Sequence, residues 1–355
     1  MRIGVETFTV NKRFPLTISR GTTSQSTNIW IRLEQQGIEG WGEASPFSLV
    51  GRDGVQRVCT TEVLFEALEV VIPMLEAFSP WEGQKIERVL AEAEVPSAVW
   101  ASIDIALHDW MGKQVGLPLW RLWGLNRRRI VPTSATVGIN NPEGARQRVR
   151  DWLPVTGGSV LKIKLGSAEG IAADQEMLLA VREEAPEAEI SVDANGGWNL
   201  DEAVKMCNWL ALLGVRHVEQ PLAAGQEEQL PILYERSPLP IFVDESCFNS
   251  FDIPALANCV HGINIKLMKS GGLTEAMRMV HTARACGLQV MFGCYSDSTL
   301  ANTAASQLSP LADYLDLDSH LNLVDDPFSG AIMQKGRLMP NNLPGLGVKC
   351  HDSQY

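Results

Sequence analysis

Five short apolar runs between residues 160 and 272 constrain this chain more than any other feature: VLKIKLG, EISVDANGGW, HVEQP, IFVDES and GINIKLMKSGG. Each closes on charge. The charged residues are Lys162 and Lys164, then Asp193, Glu219, Asp244 and Lys266, and from Lys164 onward the steps are 29, 26, 25 and 22 residues. A step of that length holds a short strand, a loop, a helix and a return loop. An unpaired buried charge is costly, so a chain that ends one apolar strand after another in charge needs a place where those charges meet. The strand ends of a closed barrel of parallel strands and helices all point into one such site. The pattern therefore predicts three carboxylates and three lysines facing a common pocket.

The flanking sequence extends this reading. From Ile130, candidate strands PTSATVGI, VLKIKL, EISVDAN, RHVEQ, IFVDE, GINIKL, QVMFGC and YLDLD alternate with amphipathic runs such as DQEMLLAVREEAP and LTEAMRMVHTARACG. Strands that are apolar nearly throughout and alternate with helices indicate a parallel sheet covered by helices. Residues 1–50 read as an antiparallel meander, with a hairpin about the QQG turn of TNIWIRLEQQGIEGWGEASPF. The polar segment TISRGTTSQSTN reads as a solvated loop, or as a flap over the pocket with Arg20 as its one cation. Residues 52–125 read as helical, with Ser97 at the cap of SAVWASIDIALHDWMGKQ and His108 as a packed side chain. These patterns place a first domain at 1–125 and a barrel domain at 126–318. The Pro-, Gly- and Asn-rich tail, 319–355, returns to the first domain.

Composition narrows the function. A net charge of −12 and a pI near 5.1 argue against a nucleic-acid or anionic-membrane surface. The N-terminus MRIGVETFTV lacks an apolar signal core, and no run is long enough to span a membrane. Seven scattered cysteines without a C-x-x-C pair read as reduced, mostly buried thiols of a cytoplasmic protein, and no spacing suggests zinc.

Asp193, Glu219 and Asp244 would repel one another unless a cation lay between them, and oxygen-only ligands suit Mg²⁺, or alternatively Mn²⁺. Lys162 and Lys164 lie two apart on one strand and so share a face. Their proximity is expected to lower each pKa and make a lysine usable as a base. Lys266 lies well around the ring, whereas Lys269 reads as a snorkelling surface residue. A metal that binds substrate carboxylate oxygens would stabilise the enolate formed when the α-proton is lost, so the residues point to proton abstraction α to a carboxylate.

K-x-K at 162–164, VDANGGW at 192–198, VEQPL at 218–222, VDES at 243–246 and NIKLMKSGG at 264–272 together resemble the enolase superfamily in its muconate-lactonizing-enzyme subgroup. The resemblance implies a (β/α)7β modified TIM barrel with an α+β N-terminal capping domain. It also implies Mg²⁺ held by Asp193, Glu219 and Asp244, with Lys164 and Lys266 as the acid/base pair and Lys162 assisting.

LDLDSH places Asp316 and Asp318 two apart at the end of the eighth strand, where both could grip an ammonium group. This resembles the D-x-D of dipeptide epimerases, which hold a free amino terminus. Thr136 matches a substrate-contacting position of those enzymes, and Arg20 resembles the flap arginine that meets a glutamate side chain in the Ala-Glu enzymes. Asp297 stands where relatives commonly carry Glu, beside the bulky Tyr295. The resemblance thus implies epimerisation of a small dipeptide such as L-Ala-L/D-Glu by two-base 1,1-proton transfer. The rival readings are an N-acylamino-acid racemase, an o-succinylbenzoate synthase or a cycloisomerase. Outside the family they are a Schiff-base aldolase or a non-catalytic ligand-binding barrel. Barrels of this type often assemble, so a homo-oligomer is compatible with the sequence.

Overall fold

Alternating apolar residues build a three-stranded antiparallel sheet from β1 (Arg2–Ile18), β2 (Gly21–Gln35) and β3 (Ile38–Ala44) in the computed structural model, which describes residues 1–50, 56–157 and 160–351. Between the partners Gln35 and Ile38, Gln36 and Gly37 both have positive φ, 57° and 73°, the two-residue turn that matches strand twist. The segment read as a solvated loop is instead the far half of the β1–β2 hairpin. Thr17 pairs with Thr22, their hydroxyls 2.9 Å apart, and the Thr9 and Thr27 hydroxyls meet at 2.8 Å. Polarity suggested a loop, but β-branched threonines also suit an exposed strand and bond across it.

A second hairpin joins β4 (Phe47–Val50) to β5 (Gln56–Cys59). The region read as helical thus opens with a strand, and its first residues, 52–55, lie outside the described residues. The helices α1 (Thr61–Leu75), α2 (Gly83–Glu92), α3 (Ser97–Gln114) and α4 (Leu119–Leu122) follow. Ser97, expected as the cap of α3, is its first helical residue, because extended Pro96 takes the cap position. His108 packs as expected, with Nδ1 2.8 Å from the Asp104 carbonyl oxygen. The helix α3 lies directly on β3. A side chain at Gly40 or Gly42 would collide with the carbonyl oxygen of Ala106 or Ser102.

Eight parallel strands follow in sequence order: β6 (Ala135–Val137), β7 (Val160–Lys164), β8 (Glu189–Asp193), β9 (Val218–Glu219), β10 (Ile241–Val243), β11 (Gly262–Lys266), β12 (Gln289–Gly293) and β13 (Tyr314–Leu315). A parallel bridge between Thr133 and Leu315 brings the two ends of the sheet together. The crossovers carry α5 (Pro142–Thr156), α6 (Ile171–Glu184), α7 (Leu200–Leu212), α8 (Leu230–Arg236), α9 (Ile253–Leu256), α10 (Leu267–Ser270) with α11 (Leu273–Ala285), and α12 (Thr299–Leu308). The architecture is a (β/α)7β barrel with a strand-rich α+β N-terminal domain.

Two carboxylates of the first domain cap barrel helices, whose first N–H groups lack intrahelical partners. Asp104 accepts from Leu273 N at 2.6 Å and Thr274 N at 3.0 Å at the start of α11. Glu43 accepts from Ser298 N at 2.9 Å and Ala301 N at 3.0 Å at the start of α12. The tail also runs along the first sheet, where Val324 N donates to the Asn11 carbonyl and Phe328 packs edge-on against Phe8 and Trp41. No disulfide joins the cysteines. Only Cys207 and Cys247 are buried and the other five are half-buried, so the expectation of mostly buried thiols fails. Among the described residues, no helix is long and apolar enough to cross a membrane.

Candidate active site

Strand register sets the site. Lys162 pairs with Ser191, Lys164 with Asp193, and Asp193 with Glu219, so the charged ends line up around one rim. Lys162, Lys164, Lys266, Asp193, Glu219, Asp244, Asp316 and Asp318 are all buried there. Lys162 Nζ lies 2.7 Å from Glu219 Oε2, 2.7 Å from Asp316 Oδ2 and 3.3 Å from Asp193 Oδ2. Lys164 Nζ donates to Asp193 Oδ2 at 2.5 Å. Across the barrel, Lys266 Nζ donates to Asp244 Oδ2 at 2.7 Å and sits 4.5 Å from the centre of the Tyr295 ring. Tyr295 in turn stacks on Phe47 of the first domain at 4.8 Å.

The electrostatics follow from these contacts. Burial pushes Asp193 up, but Lys164 and Lys162 outweigh it and hold the carboxyl below its usual range. Lys266 and Lys269 do the same for Asp244. Glu219 differs: burial and then Asp193 push it up to about 7, and Lys162 only partly offsets them. Lys162 was expected to be depressed by its lysine neighbour. Burial does lower it, but Asp316, Glu219 and Asp193 outweigh burial and raise its pKa well above the ordinary value.

Three acidic ends on adjacent strands offer only oxygen donors, and Glu219 Oε2 makes no aligned hydrogen bond although Lys162 is close. That donor set and the unmatched oxygen suit a hard divalent cation. Lysines supply the countercharge in this structure. Among the described residues, no three acidic, His or Cys side chains already close around a single point.

Asp316 joins this cluster through Lys162 Nζ, and Asp318 is buried two residues on. Asp316 Oδ1 accepts from Ser134 at 2.7 Å and from the Thr136 hydroxyl at 3.2 Å, while Asp318 Oδ2 accepts from Thr136 N at 2.6 Å. Thr136 thus holds the acidic pair. Arg20, at the tip of the β1–β2 hairpin, reaches the barrel mouth, where it meets Glu245 Oε1 at 2.8 Å and the Asn195 carbonyl at 3.0 Å. It lines a cavity of about 400 Å³ together with Ser19, Gly196, Gln220 and Ala223. Asp297 is buried and accepts from Tyr295 N at 3.1 Å, and burial raises its pKa. It acts on the buried cap Glu43, which burial and then Asp297 push up to about 7.

Several contributors escaped the sequence reading. Lys269 is fully buried, not at the surface, and donates to Asp244 Oδ1 at 2.7 Å. Asn264 Nδ2 donates to Glu219 Oε1 at 2.8 Å, and Gln220 Oε1 accepts from Asp244 N at 2.9 Å. Asn195 and Gln220, just past two of the acidic strand ends, have φ of 44° and 38°, a strained state that tends to gather at functional sites. In sequence the visible signal was N-I-K-L-M-K, where Lys269 falls one helical turn after Lys266. A larger cavity of about 700 Å³, lined by Trp81, Trp100 and Met111 between α2, α3 and α11, lies away from this chemistry.

Comparison with known proteins gives the family and the fold. Residues 2–124 match the family described as Mandelate racemase / muconate lactonizing enzyme, N-terminal domain, and residues 145–354 match Enolase C-terminal domain-like. The chain is similar to a hydrophobic dipeptide epimerase of Roseobacter litoralis, 44% identical over 349 residues that cover 98% of both proteins. A hydrophobic dipeptide epimerase of a Flavobacteria bacterium is 43% identical over 358 residues, the whole of both. The fold superposes on the crystal structure of a dipeptide epimerase from Enterococcus faecalis, complexed with Mg and the dipeptide L-Leu-L-Tyr. The TM-score is 0.89 at 29% identity, with 98% of each chain covered.

Proposed function

The chain belongs to the mandelate racemase/muconate lactonizing enzyme family of enolase-like enzymes, and from that premise we propose that it epimerises dipeptides at the α-carbon of the second residue. The observation that carries this reading is the placement of Lys164 on β7 and Lys266 on β11, four strands apart in an eight-stranded barrel. A molecule on the barrel axis meets them from opposite sides. One lysine takes the α-proton from one face and the other delivers a proton to the opposite face. Lys162, two residues before Lys164 on the same strand, would add a positive charge near the carboxylate on which charge develops.

Asp193, Glu219 and Asp244 would hold Mg²⁺, with Mn²⁺ as an alternative of the same oxygen preference. When bound, the cation supplies Lewis-acid stabilisation of the charge that builds on the substrate's carboxylate. The Mg in the Enterococcus faecalis relative supports this assignment. Asp318, with Asp316 beside it, would receive the substrate's ammonium group.

The preferred dipeptides are hydrophobic rather than Ala-Glu-like. Two relatives above 40% identity carry that name. The Arg20 charge, which would have met a substrate glutamate, is already matched by Glu245 at 2.8 Å. The cysteine pattern fits a cytoplasmic location.

The test is α-proton exchange in D₂O, followed by NMR on each pure epimer of a hydrophobic dipeptide. Lys164→Ala and Lys266→Ala should each lose epimerisation by ~10²–10⁴-fold, the usual contribution of a positioned acid or base. Each variant should still exchange one epimer with retention, and the two variants should act on opposite epimers. Comparable exchange of both epimers by either variant would defeat the two-lysine assignment.

A further inference from the structure

Lys269 has no solvent-exposed side-chain surface, and all three of its protons are engaged. Its Nζ donates to the Asp244 carbonyl at 2.6 Å, Asp244 Oδ1 at 2.7 Å and the Asn264 carbonyl at 3.0 Å. It rides on α10, the single turn that follows β11. That turn closes on Gly271, whose φ of 99° would strain any other residue.

Asp244 is consequently held at several points. Gln220 Oε1 accepts its backbone N–H, while Lys269 binds its carbonyl and Oδ1. The remaining oxygen, Oδ2, faces the pocket and receives Lys266. The two lysines three residues apart thus divide one carboxylate, Lys266 from the pocket side and Lys269 from behind.

We infer that Lys269 is a positioning residue that keeps Oδ1 of Asp244 occupied and so presents Oδ2 alone to the divalent cation. This rests on the reading of Asp244 as a cation ligand. The geometry argues for a clamp over a simple counter-ion, because a counter-ion needs proximity to the carboxylate and not two backbone carbonyls fixing its direction. Holding one oxygen matters because a carboxylate left free can turn and bind a metal through one oxygen or two. Ligand orientation imposed by such outer contacts commonly changes metal affinity 10–100-fold.

The two roles predict opposite signs. If Lys269 only balances charge, removing a cation beside the site should tighten Mg²⁺ or Mn²⁺ binding. If it clamps Asp244, removing it should weaken binding even though a positive charge is gone. Mg²⁺ affinity by titration calorimetry and Mn²⁺ affinity by electron paramagnetic resonance read this directly on the full chain. We expect Lys269→Met to bind at least ~10-fold more weakly, and Lys269→Gln, whose amide still donates, to recover part of the loss, with circular dichroism unchanged in both. Unchanged or tighter binding in Lys269→Met overturns the clamp.

Asp244→Asn separates the two layers of the argument. If it leaves cation binding intact, Asp244 is not a ligand and the underlying reading falls. If it weakens binding while Lys269→Met does not, only the clamp falls. Should both Lys269 variants fail to fold, a crystal structure of the Mg²⁺-loaded wild type decides. The clamp requires Lys269 on Oδ1 and the ion on Oδ2, and an ion bound through both oxygens refutes it.

Discussion

Asp316 and Asp318 differ in how much of their charge is already matched. Asp316 has both oxygens engaged, by Ser134, Thr136 and Lys162. Burial pushes it up, yet Lys162 and Lys164 outweigh burial and keep it below its usual range. Asp318 accepts from Thr136 N, and burial followed by Asp316 pushes it up to about 7. An incoming ammonium would therefore relieve Asp318 most, while Asp316 chiefly orients Lys162. Asp318→Asn should raise KM for free dipeptides ~10-fold or more, since a charge-assisted bond contributes about 1.5–3 kcal/mol. It should change turnover of N-acetylated dipeptides little. Asp316→Asn should instead lower kcat for both kinds of substrate. Steady-state kinetics on matched pairs checks this, and identical profiles for the two variants would contradict the division.

At the scale of elements, strands β7 to β11 were legible because each ends at a charge whose burial demands company. The pairs around Lys164, Asp193 and Glu219 follow directly from that register. The hairpin arm was not legible, since its threonines are polar and a polar run satisfies a loop as well as an exposed strand. Lys269 was missed because a lone lysine past a strand end looks like a surface residue until the α10 turn folds it back under Asp244. Glu43 and Asp104 escaped for a different reason: they act 255 and 169 residues away, at the helix starts of Ser298 and Leu273. No local pattern encodes such a contact. These caps should still behave as caps. Asp104→Ala should cost about 1–2 kcal/mol of stability, measured by urea unfolding, with KM unchanged. A loss of less than a few tenths would mean that water satisfies the start of α11 equally well.

For the whole molecule, buried acids dominate the response to pH. Glu43, Glu219 and Asp318 are each raised to about 7, with burial the leading cause. A carboxyl raised in the folded state stays protonated there after the unfolded chain has released its proton. The stability these three contribute is therefore full below their unfolded values, 4.5 for the glutamates and 3.8 for Asp318, falls as pH rises toward 7, and levels off above it. Glu43 alone accounts for on the order of 3 kcal/mol, at about 1.36 kcal/mol per unit. Melting temperature in EDTA should drop between pH 5 and 8, and Asp297→Asn, which removes the carboxylate facing Glu43, should flatten the drop. A melting temperature that climbs across this range would refute the assignment.

The Ser19–Arg20 turn belongs to the first domain yet bonds to Asn195 and Glu245 at the barrel mouth. On the proposed reading, the wall that would meet a substrate's side chain and the lysines that would move its proton are thus inherited on separate stretches of the chain. After gene duplication, drift in the arm could try new side chains while the charged strand ends of the barrel are left untouched.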